Sequence, residues 1–297
     1  MHAPTDLTPA TLRRMPLPRP QGGSKEERGR ILVVGGSREL PGAPLLAGRA
    51  ALRAGAGKLQ VATLASLALG LGLALPEARV IGLDETQAGG IAPAALETLL
   101  PRVAACAALL VGPGMMDAEA VARLTRDLLL GCDGPALVLD AAAMMRLRAD
   151  AEALRRHRGR AIITPHPGEM AGLLGIDKRE VEADPVGIAR RTAASLGCIV
   201  ILKGACTRIC TPEGEAWASA HGPVGLATSG SGDTLAGLLL GLLGRGAAPL
   251  QAALWAVHVH AEAGRRLGHQ VGPLGFLAGE LPGQFPGILA DLAPTAP

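Results

Sequence analysis

Aromatic side chains are nearly missing from this sequence, with two Trp, two Phe and no Tyr in 297 residues. Base-stacking platforms of the kind that hold single-stranded nucleic acid are therefore not expected. Any ring bound here has to rest on aliphatic and backbone contacts. Dense blocks of charge are missing too, since 29 basic residues are scattered against 26 acidic ones for a net +3. No nucleic-acid partner is expected from such a balance. The five cysteines, Cys106, Cys132, Cys198, Cys206 and Cys210, have no CxxC spacing and are odd in number. That argues against a zinc site and against a secreted disulfide framework, and reads as small buried residues in a reducing cytoplasm. The N-terminus has no apolar core of a secretory signal. Between positions 58 and 77 no residue is charged, yet Gln60, Thr63, Ser66, Gly70, Gly72 and Pro76 interrupt the run. It reads as a strand and a short buried helix, and no membrane association is expected.

With 48% hydrophobic residues the chain has enough apolar material for one large α/β domain. Residues 1–24 read as a polar, proline-containing lead-in, and 25–297 as a single domain. Short aliphatic runs recur as ILVVGG from Ile31, KLQVAT (58–63), RVIGL (79–83), ALLVGPG (108–114), ALVLDA (136–141), AIITPH (161–166) and CIVILKG (198–204). Ala- and Leu-rich segments of helical length separate them. This alternation predicts an α/β fold with a mainly parallel sheet covered on both faces. RICT, the turn at Pro212, Glu213 and Gly214, and EAWAS predict a hairpin, a small antiparallel edge.

The sequence is organised around HGPVGLATSGSGDTLAGLLLG, residues 221–241. Gly230, Ser231 and Gly232 lead into an apolar helical run at 235–243, so a glycine loop opens a helix. Such a junction offers backbone N–H groups and the positive end of a helix dipole to an anion. Asp233 stands at that end, where its charged form is stabilised and it is placed to take a proton during phosphate transfer. The other reading makes Asp233 a helix cap and the glycines a simple turn.

The remaining unusual residues fall at strand ends, where open parallel sheets bind ligands. Prolines at 165 and 167 bracket His166, which suits either a substrate contact or a stiff turn. Glu169 fits the first turn of a helix. Lys203, followed by Gly204, Ala205, Cys206 and Thr207, reads as a phosphate contact beside a close-approach floor, or as a lysine snorkelling at the sheet rim. Gly112, Pro113 and Gly114 form a tight turn or a ligand floor, and Asp140 contacts a ligand or caps the next helix. His258 and His260, two apart on a helix, do not share a face and read as packing residues.

Taken in order, GRILVVGGS, LPGAPLLAGRAALRAGAGKLQVAT, LVGPGM, LVLDA, IITPHPGEMAGLLG, VILKGACT and GLATSGSGDTLAG resemble the ADP- or ATP-dependent (S)-NAD(P)H-hydrate dehydratases. These are carbohydrate-kinase-like members of the ribokinase-like superfamily, and the resemblance spans about residues 25–290. It implies a three-layer α/β/α ribokinase-like fold for 25–297. It implies a lyase that repairs the S form of hydrated NADH or NADPH by phosphorylating the ring hydroxyl and eliminating phosphate. Asp233 would be the catalytic base, with Gly230, Ser231 and Gly232 as the anion hole. Ala43, Gly114, His166 and Asp233 would contact the dinucleotide, and Lys203, Gly204, Ala205, Cys206, Thr207 and Gly232 the adenine nucleotide. Mg2+ and ADP, or ATP, are the implied cofactor and co-substrate, with no metal ligand assigned. A homotetramer and a separate NAD(P)H-hydrate epimerase as functional partner are implied as well. The family's DADA segment here reads Asp140, Ala141, Ala142, Ala143, losing one carboxylate; Asn-Pro before the glycine loop becomes Pro223-Val224, Tyr-Ser becomes Leu40-Pro41, and Leu277 replaces a polar residue. The alternatives are a ribokinase-like kinase of a small hydroxylated metabolite or vitamin precursor, and a non-catalytic nucleotide-binding protein.

Overall fold

The computed structural model of the chain describes residues 3–19 and 24–293. Among them one ten-stranded sheet forms from β1 (Thr5–Asp6), β2 (Arg30–Val34), β3 (Lys58–Leu64), β4 (Ala78–Leu83) and β5 (Ala108–Val111), continued by β6 (Ala136–Leu139), β7 (Ala161–Ile163), β8 (Ile199–Leu202), β9 (Thr207–Cys210) and β10 (Ala216–Ser219). The helices are α1 (Pro9–Arg13), α2 (Ala43–Arg53), α3 (Ala65–Ala74), α4 (Leu96–Ala104), α5 (Ala118–Gly131) and α6 (Ala151–Arg155). They continue with α7 (Pro167–Leu174), α8 (Lys178–Ala183), α9 (Pro185–Leu196), α10 (Ser231–Gly244), α11 (Pro249–Gln270) and α12 (Leu281–Leu292).

Strands run in the order β1-β10-β9-β8-β7-β6-β5-β2-β3-β4. All neighbours from β8 to β4 are parallel, and only β9 runs antiparallel to its neighbours. Side chains alternate across a strand, so a strand buried on both faces reads as a continuous apolar run. Ile31 and Val33 accordingly join a core under α2, α10, α11 and α12, while Leu32 and Val34 join a second core under α4, α5 and α9. This is the α/β/α arrangement expected from the alternation.

Two expectations need correcting. The lead-in does not stand apart as a polar segment, because Thr5 pairs with Trp217 on the outer side of the hairpin. Leu7 and Leu12 are fully buried in the α10/α11 core, and Trp255 Nε1 donates to Met15 O at 2.8 Å. Strand pairing, two buried leucines and hydrogen bonds from α11 anchor the stretch; its residues 1–2 and 20–23 lie outside the described residues. The helix after β3 is present as α3, but it is not buried, since Leu69 and Leu73 are each 77% exposed and only Leu71 is covered. No helix among the described residues is long and apolar enough to cross a membrane.

The glycine loop is positioned by a close crossing of α10 on α2. A Cβ added at Gly237 would stand 2.1 Å from Ala47 O, and one at Gly241 would stand 2.4 Å from Ala51 O. Glycine inside a helix is ordinarily a cost of about 0.5–1 kcal/mol relative to alanine. Here the backbone contact reverses the sign. Gly237→Ala is expected to destabilise by about 1–3 kcal/mol through overpacking. The same change at Gly70, where nothing lies within 4 Å, should stabilise by about 0.5–1 kcal/mol. Urea unfolding midpoints check both signs.

Candidate active site

The glycine loop ends at Gly230, which holds a left-handed φ of 84° as the N-cap of α10. A side chain there would also collide with Leu46 Cδ1 at 2.5 Å, so glycine is required by backbone and space together. No side chain caps α10. Ser231 N–H donates to Thr228 O at 3.2 Å, while the N–H groups of Gly232 and Asp233 find no acceptor among the described residues. Two free donors at a helix N-terminus are an arrangement suited to an anion.

These donors open into a cavity of about 670 Å³. Its lining includes Asp140, His166, Glu169, Lys203, Gly204, Ala205, Thr207, Gly230, Ser231, Gly232 and Asp233. Val224, Leu226 and Val257 supply aliphatic wall, which meets the expectation drawn from the scarcity of aromatics. Ala43 and Gly114 are not in this lining. They meet each other beside it, where a Cβ on Gly114 would stand 2.8 Å from Ala43 Cβ. Cys206 also falls outside the lining, and its Sγ accepts from Arg208 Nη1 at 2.6 Å.

Each polar group is placed by its strand end. Lys203, just beyond β8, extends Nζ to 3.4 Å from Asp140 Oδ1 and 3.7 Å from Glu169 Oε2. Burial pulls its pKa down, but the charges of Asp140, Glu169 and Asp233 outweigh burial and raise it. Snorkelling to the rim is thus not what this lysine does. Asp140 follows β6, is 2% exposed, and accepts from Thr164 Oγ1 at 2.6 Å. Ala141 beside it holds φ at 48°, an uncommon conformation for a residue with a side chain. Gly112 permits this approach, since a Cβ there would lie 1.8 Å from Asp140 O. His166 caps α7, with Nδ1 accepting from Gly168 N–H at 3.0 Å, while Glu169 Oε2 accepts from His166 N–H at 2.7 Å. That reciprocal cap leaves Nε2 to carry the ring proton, 3.7 Å from Glu169 Oε1.

The stabilised charge expected for Asp233 is not what the structure produces. Burial, then the negative charge of Asp140, pushes its pKa up to about 7, with Lys203 opposing and Glu169 adding to the rise. Two further residues take part in the site beyond their sequence readings. Asp140 joins the charged cluster, and His260, read as packing, lines the cavity with Nε2 3.0 Å from Ser231 O. No local pattern marks His260; only the fold brings α11 behind the glycine loop. Ala142, which replaces a family carboxylate, is outside the lining and packs half-buried against the α5 side core.

Fold and site together define a ribokinase-like α/β protein with unpaired N–H groups at a helix end beside a buried acid. The profile of the NAD(P)H-hydrate dehydratase family matches residues 31–285, and the chain belongs to that family. An ADP-dependent (S)-NAD(P)H-hydrate dehydratase of Xanthomonas campestris pv. campestris is 49% identical over 290 residues, covering 96% of each chain. A bifunctional NAD(P)H-hydrate repair enzyme of Moorella thermoacetica is 39% identical over 280 residues, which are 94% of this chain and 53% of that protein. Among solved structures, the ADP/ATP-dependent NAD(P)H-hydrate dehydratase of Bacillus subtilis co-crystallized with ATP/Mg2+ superposes with a TM-score of 0.81. It shares 28% identity and the match covers 98% of this chain and 100% of that one.

The raised pKa of Asp233 carries a stability signature. An aspartate titrates near 3.8 when unperturbed and near 7 here. Well below pH 3.8 both folded and unfolded states are protonated and no penalty exists. As pH rises the unfolded state loses its proton first, so the penalty grows to about pH 7 and is complete above it. At about 1.4 kcal/mol per unit the full effect is on the order of 4 kcal/mol. Asp233→Asn should therefore unfold at higher denaturant than wild type at pH 8, with the gain vanishing well below pH 3.8.

Proposed function

We propose that the protein is an ADP-dependent (S)-NAD(P)H-hydrate dehydratase, a metabolite-repair lyase that returns the S form of hydrated NADH and NADPH to NADH and NADPH. The observation that carries this reading is Asp233, titrating near 7 beside two N–H groups without acceptors, in a cavity of about 670 Å³. A carboxylate with a pKa near neutrality is half in its basic form at working pH and is a competent proton acceptor.

In the proposed reaction Asp233 takes the proton of the ring hydroxyl as its oxygen attacks the terminal phosphorus of the nucleotide. The bond from that phosphorus to the bridging oxygen breaks, and AMP leaves from ADP, or ADP from ATP. The free N–H groups of Gly232 and Asp233, held in place by Gly230 and Ser231 and with the Lys203 ammonium nearby, face the charge that spreads over the transferred phosphoryl. The phosphate then departs with its C–O bonding pair, the neighbouring ring carbon gives up a proton that the departing phosphate takes, and the double bond returns. His166, Gly114 and Ala43 are assigned to the dinucleotide, and Lys203, Gly204, Ala205, Cys206 and Thr207 to the adenine nucleotide. For Cys206 the contact runs through its backbone, since its thiol is engaged with Arg208.

The donor set fits magnesium. Mg2+ is usually held by substrate phosphates, water and one or two carboxylates, and both partners of Asp140 use Oδ1, which leaves Oδ2 for a hydrated cation. Asp140 and Glu169 would hold it, and bound there it neutralises phosphate charge. ADP is favoured as donor because the Xanthomonas relative is ADP-dependent, although the Bacillus structure was obtained with ATP/Mg2+. A separate epimerase is the proposed functional partner, supported by the bifunctional relative, of which this chain matches 53%. A homotetramer and a cytoplasmic location, where NADH and NADPH are used, complete the reading.

The test is incubation with the S form of hydrated NADH, Mg2+ and ADP or ATP, following the near-ultraviolet absorbance of the reduced ring. Nucleotide-dependent recovery is expected, with an acidic limb near pH 7 in kcat/KM. Asp233→Asn should lower kcat by about 10²–10⁴-fold. Nucleotide binding without recovery would defeat the repair reading and point to simple kinase or binding activity.

A further inference from the structure

The backbone donor at Gly232 is only as well aimed as the peptide that carries it. A trans peptide is planar, with C=O and N–H pointing to opposite sides. Fixing the Ser231 carbonyl therefore fixes the direction of the Gly232 N–H. Two donors converge on that carbonyl from behind the loop: Thr234 Oγ1 donates to Ser231 O at 2.8 Å, and His260 Nε2 stands 3.0 Å from the same oxygen. His260 Nε2 also lies 3.3 Å from Ser231 Oγ and 3.3 Å from Thr234 Oγ1. The imidazole thus sits at the centre of a small buried polar knot.

The environment selects one form of that ring. Burial pulls its pKa down to about 4, with the charge of Lys203 adding to the effect and the Ser231 contact opposing it. At neutral pH the ring is uncharged, and a neutral imidazole facing a carbonyl with Nε2 carries its proton there. Burying such a ring without function would be costly, and aliphatic residues fill most of the neighbouring buried positions on α11, among them Val257, Val259 and Ala263.

We propose that His260 is a positioning residue of the anion hole, its neutral imidazole pinning the Ser231 carbonyl so that the Gly232 N–H is aimed at the phosphoryl group in transfer. This rests on the phosphoryl-transfer reading given above. It goes beyond that reading by assigning the order of the loop to a side chain on a different helix, 29 residues from Ser231 in sequence. His260 touches neither reacting atom.

The test uses His260→Leu, which removes the donor at similar volume, and His260→Gln, whose side-chain amide restores one. Two readouts are needed: kcat and KM for the hydrate, and the affinity of ADP relative to adenosine by calorimetry. The leucine variant is expected to lose about 10²-fold in kcat, in line with the loss of one oxyanion donor, with KM for the hydrate changed less than about threefold. It should lose most of its preference for ADP over adenosine while adenosine itself binds as in wild type. Glutamine should recover kcat to within about tenfold. Should the leucine variant fail to fold, Thr234→Val removes the second donor to the same carbonyl and is expected to lower kcat and the ADP preference in the same direction. A leucine variant that keeps both quantities within twofold would overturn the proposal. So would equal losses in the leucine and glutamine variants accompanied by equal drops in Tm, the result of a merely structural role. The ADP-to-adenosine ratio does not depend on turnover of the hydrate, so the failure of the repair reading and the failure of this one are separable.

Discussion

One ammonium group balances the whole site. Lys203 Nζ lies within 4 Å of carboxylate oxygens from Asp140 and Glu169, and its charge also bears on Asp233. Three acids around one cation leave a net negative cluster in a partly buried space, and Coulomb interactions are strong where water is scarce. Burial first, and then the negative charge of Asp140 and Glu169, holds the Asp233 proton to about pH 7. Without Lys203 that proton would be held more tightly still. A proton acceptor working near neutrality is thus a property of the buried cluster and not of Asp233 alone, and the lysine at the end of β8 limits how far burial and the neighbouring acids raise it.

The cluster can form only because three separate strand ends and one helix end arrive at the same place. Asp140 follows β6, His166 and Glu169 follow β7, Lys203 follows β8, and Asp233 opens α10. In a parallel sheet these strand ends lie on one edge by construction. The helix end is different, since its position depends on how closely α10 approaches the sheet and α2. Gly237 and Gly241 remove the side chains that would hold the helices apart. Glycine therefore serves the site twice, once in the anion loop and once along the helix that carries it.

Much of this is legible in the order of residues alone. Runs such as ILVV and ALLV declare strands covered on both faces, and glycines after β5 and before α10 mark close backbone approach. Asp233 and its loop are identifiable from order and spacing, and the family from seven motifs in sequence. What stays hidden depends on distant parts of the chain. Leu7 and Leu12 look ordinary in a polar segment until β1 lands on β10. His260 has no signature because its partner, Ser231 O, is a backbone atom. The ionisation of Asp233 runs opposite to expectation for a similar reason: the helix end favouring charge is a local feature, whereas burial and the charge of Asp140 come from the assembled fold.

The proposed chemistry asks less of this site than a new activity on an old fold would suggest. Hydroxide is a poor leaving group and phosphate a good one, so transferring a phosphoryl group to the ring hydroxyl supplies what elimination lacks. In that proposal the N–H donors, Lys203, the acids that would hold magnesium and a base near pH 7 all serve the first step. The second needs a carbon that can lose its proton and a substrate held in place while phosphate leaves. The difference between a kinase and a repair lyase on this scaffold then resides in which hydroxyl is presented to Asp233. That choice belongs to the side of the site near His166, Gly114 and Ala43 in the proposed assignment, where a Cβ on Gly114 would overlap that of Ala43. In that assignment the closeness of the strand loop to α2 would set the space left for the ring.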